Sequence, residues 1–145
     1  MGGTTISAII EGDDLRVVRV REGLVGGRGE SVGVIESALG PGGAERARAV
    51  LGRAGGGRLV LTVPSEWAAV RAISMRCAQW REGAGEVRRS VGGLLPLGSD
   101  DAMLGLIESV GGGGGYLIGV SAAQVRPWAE LVERASGKKI DALMT

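Results

Sequence analysis

The stretch LVLTVPSEWAAVRAISM, residues 59–75, decides how the chain is read. Its first five residues form a nearly continuous apolar run, the pattern of a short strand covered on both faces. Pro64 stops that pattern, because proline has no N–H to give to a sheet ladder. Residues 67–75 then resume as a new strand with Arg71 inside it. A buried strand, a proline break and a fresh strand mark a seam. The chain therefore reads as two halves on either side of it, within a length that fits one medium domain or two small subdomains.

Toward the N-terminus, residues 4–10 are rich in β-branched side chains and predict a strand. Glu11-Gly12-Asp13-Asp14 is a polar turn. Residues 15–20 predict the returning strand of a β-hairpin. Gly26-Gly27-Arg28-Gly29 reads as a flexible turn, and residues 31–37 as a third strand. Gly40-Pro41-Gly42-Gly43 breaks the chain before a helix over residues 44–54. Ala47, Val50, Leu51 and Ala54 fall on one face of that helix. Three glycines, residues 55–57, end it. The first subdomain therefore reads βββαβ.

Toward the C-terminus, Trp80, Ala84, Val87 and Val91 lie at helical spacing, so residues 79–90 predict an amphipathic helix. Leu94-Leu95-Pro96-Leu97 is an apolar connector. Residues 102–110 and 116–120 predict strands joined through the glycine run 111–115. Ser121 and Gln124 fit a capping box. Val125, Trp128, Val132 and Ala135 then form one helical face, and Gly137 suits the position just past a helix end. Pro127 should kink this helix or delay its start. Residues 140–143 predict a short last strand. The order β-α-β-β-α-β is ferredoxin-like.

The chain has 145 residues, net charge +1 and 44% hydrophobic residues, enough for a packed core without metal or disulfide staples. The near-neutral charge gives no basic surface for nucleic acid, so no nucleic-acid partner is expected. With no histidine and one cysteine, Cys77, a Ser-His-Asp triad, a Cys-His pair and a His-ligated metal are excluded within the chain. Cys77 reads as a small apolar packing residue, compatible with a reducing compartment. No apolar run is long enough to span a membrane, and the N-terminus lacks a signal-peptide pattern.

The glycine-rich stretches lack the G-x-x-x-x-G-K-[ST] string of a phosphate loop, since the only lysines are Lys138 and Lys139. Asp13-Asp14 and Asp100-Asp101 read as turn residues accepting local backbone hydrogen bonds. Trp80 and Trp128 lie on apolar helix faces and read as core. Trp67, at the seam, reads as packing, with partner contact as the rival reading, because an exposed tryptophan is a common anchor in protein interfaces.

Four stretches carry a family resemblance: the opening hairpin over residues 6–20; the helix 44–54 followed by residues 59–75; EVRRSVGGLLPLGSDDAMLGL, residues 86–106; and YLIGVSAAQVRPWAELVERASGKKIDAL, residues 116–143. In this order they resemble the N-terminal half of the PilM/GspL-like platform proteins of type IV pili and type II secretion. Pro64 and Arg71 match that family's Pro-containing turn and its strand with an internal arginine. The resemblance implies an α/β (α+β) fold: an actin-like core subdomain fragment over 1–63, with a ferredoxin-like inserted subdomain of the 1C type over 64–145. It also implies that the chain stops before returning to finish the core.

By the same resemblance, the function is that of a cytoplasmic scaffold, peripheral to the bacterial inner membrane. It binds the tail of a bitopic platform protein or the assembly ATPase; a homodimer is compatible with it. PilM holds a PilN peptide in a groove between its two subdomains, which makes Trp67, Arg71, Leu94, Leu95 and Leu97 the candidate partner-binding residues. No catalytic residue, cofactor or metal is expected. The Asp-x-Gly-[ST] phosphate signature of actin-like ATPases is replaced by Ile9-Ile10-Glu11-Gly12-Asp13-Asp14, whose acids oppose a phosphate. The alternatives are an ATP-binding actin-like ATPase and a standalone ferredoxin-like binding domain.

Overall fold

The computed structural model describes residues 2–73, 95, 102–108 and 114–145. The expected helix over 79–90, together with Cys77, Trp80, Asp100, Asp101, Leu94 and Leu97, lies outside them. The described chain divides into two units, Met1–Pro64 with Arg126–Thr145, and Ser65–Val125.

The first unit is built on a mixed five-stranded sheet. Its strands are β1 (Thr4–Glu11), β2 (Asp14–Gly23), β3 (Gly26–Ile35), β4 (Arg58–Thr62) and β8 (Ala142–Met144), in the order β3-β2-β1-β4-β8. The first three form an antiparallel meander, while β4 and β8 run parallel to β1 and to each other. Register explains the core. Ile10 pairs with Leu15, and Leu15 with Ile35; Ala8 pairs with Val17 on one side and Leu61 on the other. All six are at most 3% exposed. Side chains alternate between the faces of a strand, so this pairing places the apolar residues of four strands in rows on one face.

Helix α1 (Gly43–Ala54) lies against β2 and β3. Its buried residues include Ala47, Val50, Leu51 and Ala54, the predicted stripe. The helix sits so close to the sheet that a Cβ on Gly33 would come 3.2 Å from a Val50 methyl. Gly43 is buried for a sharper reason: any side chain there would strike the Ala38 carbonyl.

In the second unit, a 3-10 turn (Ser65–Trp67) leads into β5 (Ala69–Ile73). This strand pairs antiparallel with β7 (Gly115–Ser121), which also pairs with β6 (Ala102–Glu108), giving the order β5-β7-β6. Helix α2 (Ala122–Ser136) follows β7, with the Ser121 hydroxyl accepting the Gln124 N–H at 3.4 Å, one of the two bonds of the expected capping box. The helix passes from the second unit into the first at Arg126; Val125 in the second, and Trp128 and Val132 in the first, are buried.

Four expectations are corrected. First, residues 126–145 do not belong with 64–125; they belong to the first unit, and the chain does return to extend the core sheet. The physical reason is the edge of β4. Asp141 N–H donates to the Leu59 carbonyl at 2.8 Å, Val63 N–H donates to the Met144 carbonyl at 2.8 Å, and β8 thereby satisfies backbone groups that β1 leaves open. Second, the last strand leaves the β-α-β-β-α-β set, so the described part of the second unit has a three-stranded sheet and not a complete ferredoxin-like one. Third, the hairpin turn between β2 and β3 is Leu24-Val25 and not the glycines, which form the start of β3. Fourth, α2 begins at Ala122 and continues past Pro127, so the proline does not delay its start; it lies on the exposed face.

Candidate functional site

The turn that would face a nucleotide phosphate in an actin-like ATPase is Gly12-Asp13, between β1 and β2. Gly12 takes φ +62, which glycine accommodates without strain. Here the turn serves the fold. The Asp14 carboxylate accepts the Ser37 N–H at 2.9 Å, and the Asp13 carbonyl accepts the Ala38 N–H at 2.9 Å. The two bonds fasten the first hairpin to the segment that leads into α1. Asp14 thus accepts a backbone hydrogen bond, as its sequence reading expects, although the donor comes from the β3–α1 connection. Among the described residues no group of three or more Asp, Glu, His or Cys gathers as metal ligands.

A different feature of the first unit has the shape of a binding site. The segment after β3 and the two helices enclose an open cleft of about 440 Å³. Ala38, Leu39 and Gly40 form one wall, and Ala44 and Arg48 extend it one turn apart along α1. The opposite wall is the stripe Pro127, Leu131, Arg134 and Ala135 on α2, with Glu130 beside it. These residues lie at helical spacing on α2, offset from the buried stripe of Trp128 and Val132. Leu39 is 49% exposed at the lip. The cleft is therefore apolar inside, with two guanidinium groups and one carboxylate at its edge. Such a surface suits a partner segment with an apolar anchor and acidic neighbours.

Two arginines of the first unit, Arg16 and Arg19, are paired along the hairpins. Arg16 makes a two-point contact with Glu11 at 2.9 and 3.2 Å. Arg19 reaches Glu30 at 2.7 Å, and its hydrogen bond, followed by its charge and the fields of Arg21 and Arg28, holds the Glu30 carboxyl below the usual glutamate range.

The residues named from sequence meet different fates. Trp67 closes the 3-10 turn and is partly exposed; Arg71 is exposed on β5. Both are accessible and lie on adjoining elements. Leu95 is only 3% exposed, so it packs and offers no area to a partner. Leu94 and Leu97 fall outside the described residues. Sequence reasoning missed the cleft because its walls come from residues 38–48 and 127–135, which periodicity cannot bring together. The available signal was Leu131, an apolar side chain beside the core stripe of its helix.

No protein-family model matches the chain, and no curated protein matches it by sequence. Solved structures do. The cytoplasmic domain of EpsL, an inner membrane component of the type II secretion system of Vibrio cholerae, aligns with TM-score 0.61 and 11% identity over 99% of this chain and 57% of its own. A chain of the PilM-PilN type IV pilus biogenesis complex aligns with TM-score 0.60 and 15% identity over 99% of this chain and 47% of its own. The chain thus spans about half the length of each. In sequence, residues 65–125 form the second unit, between β4 and residues 126–145 of the first. Across nearly its whole length, this chain shares its mixed α/β fold with part of the cytoplasmic domain of EpsL and part of the PilM-PilN chain.

Proposed function

We propose that this chain is a protein-interaction domain of a type II secretion or type IV pilus assembly platform, on the cytoplasmic side and peripheral to the inner membrane. It works by binding, without catalysis, and its partner is the tail of a bitopic platform protein or the assembly ATPase. The observation that carries the proposal is the fold shared, over 99% of the chain, with one component of a secretion system and one of a pilus biogenesis complex. Fold alone is compatible with many functions, so the site must add to it. Two features do. The turn at the phosphate position is acidic and its Asp14 carboxylate already holds a backbone N–H. The cleft between α1 and α2 is apolar, accessible and rimmed by Arg48 and Arg134. We assign partner docking to this cleft, with Trp67 and Arg71 as a second, separate contact surface.

The test is co-purification from the native host with this protein as bait. Recovery of a platform protein or the assembly ATPase, and its loss with the double variant Leu39→Asp/Arg48→Glu, is the expected result. Both substituted side chains are exposed, so the variant should keep its melting temperature. Thermal stabilisation by Mg-ATP, with neither protein recovered by a folded bait, would overturn the proposal in favour of a nucleotide-binding role.

A further inference from the structure

Outside the cleft, the most unusual surface of the molecule is the β2–β3 hairpin. Every residue of its outer part, 21–31, is exposed, so neither face of the ribbon is covered. Arg21 still pairs with Thr4 and the Glu22 N–H donates to the Gly3 carbonyl, and beyond them the ribbon has two strands. A bare two-stranded ribbon is marginal in water, and this sequence does little to strengthen it. Gly23, Gly26, Gly27 and Gly29 supply no side chains. Arg21 stands directly across from Arg28, a like-charge pairing that opposes the strands. The turn itself is Leu24-Val25, wholly exposed at 100% and 102%. Two-residue hairpin turns favour Asn, Asp and Gly, which accept positive φ. Here Gly26 takes φ +121 while the apolar pair occupies the tip. Local stability explains neither the apolar tip nor the paired arginines.

We propose that Leu24 and Val25 form a wedge that enters the surface of an anionic lipid bilayer, with Arg21 and Arg28 engaging lipid phosphates behind it. Shape favours a bilayer over a protein groove. The tip is convex and isolated, and two side chains fall far short of the roughly 800 Å² per partner that a standard protein interface buries. A bilayer takes up small apolar protrusions and has no such requirement. Spacing agrees: Arg21 stands three residues behind Leu24 and Arg28 three behind Val25, about 10 Å along a strand, which matches an apolar group set about 5–10 Å into the headgroup boundary with cations at the phosphates. Charge agrees too. Among the described residues Arg21 and Arg28 make no ion pair, whereas Arg19 is held by Glu30 and the Ala54 carbonyl. Glu22 is the one acid between the tip and the arginine pair, and it opposes binding. The inference goes beyond the platform reading and stands apart from it, since this chain meets a vesicle with no partner protein present.

The experiment is flotation of the full chain with vesicles of phosphatidylcholine alone and with 40% phosphatidylglycerol. Binding to the anionic vesicles, weakened at 0.5 M salt, is expected. Leu24→Asp/Val25→Asp should reduce it at least 10-fold. Arg21→Gln/Arg28→Gln should reduce it about 30-fold, from roughly 5-fold for each arginine. Glu22→Gln should increase it. All these positions are exposed, so melting temperatures report that each variant is folded. No flotation by the folded chain, equal binding to neutral vesicles, or full binding by the Leu24/Val25 variant would each overturn the proposal, the first leaving the ribbon as a protein contact.

Discussion

Asp141 offers a direct test of the claim that the last residues of the chain complete the first unit. Its carboxylate accepts the Leu59 N–H at 2.7 Å, and its own N–H donates to the Leu59 carbonyl at 2.8 Å. Leu59 is 2% exposed. Asp141→Ala removes the first bond and leaves the Leu59 amide without its acceptor. A buried donor left unpaired costs about 1–3 kcal/mol; because Asp141 itself is exposed and water can approach, about 1–2 kcal/mol is the better figure. For a chain of this size that corresponds to a fall in Tm of roughly 4–8 °C. In urea the midpoint should move by roughly 0.5–1 M at an unchanged slope. Asp141→Asn keeps an oxygen for the same donor and should lose less than half as much. Hydrogen exchange at the Leu59 amide should accelerate in the alanine variant. The reasoning is refuted if Asp141→Ala melts with the parent, or if the asparagine variant is as unstable as the alanine one.

Three further outcomes are expected. Gly43→Ala drives a Cβ into the Ala38 carbonyl and should destabilise the fold by at least about 1–3 kcal/mol, read by thermal melting. Ser37 holds φ +46, outside the range favoured by side chains; Ser37→Gly relieves that strain, keeps the backbone N–H bonded to Asp14, and should raise stability by about 0.5–1 kcal/mol in the same assay. Arg19→Gln removes the hydrogen bond and charge that lower the Glu30 pKa, so NMR titration should show Glu30 returning upward toward the usual glutamate range; an unmoved titration would count against the Arg19 pairing.

The sequence by itself determined most of the first unit. β-branched runs at residues 4–10 and 15–20, the apolar run at 59–63 and the 3.6-residue spacing of Ala47, Val50, Leu51 and Ala54 are local signals, and local signals set element type. The same is true of the Ser121 cap and of Gly137, which takes φ +70 at the end of α2. The α/β class and the seam at Pro64 were legible for this reason, as was the order of elements that resembles the platform proteins.

What only the tertiary structure decided is which element joins which. β8 is three residues long, too short for any period to assign it a partner, and its place beside β4 follows from backbone groups more than eighty residues away that need a match. The hairpin turn fell on Leu24-Val25 because the cross-strand register, after a one-residue shift between Val17 and Val18, runs from Val18–Ser31 to Gly23–Gly26 and fixes where the strands must reverse; register overrides the turn preference of the glycines. Leu95 and Leu39 show the same limit at the site. Both are leucines in apolar or glycine-rich connectors, yet one is 3% and the other 49% exposed. A sequence states how much apolar surface must be buried; only packing in three dimensions selects which of it remains open to a partner.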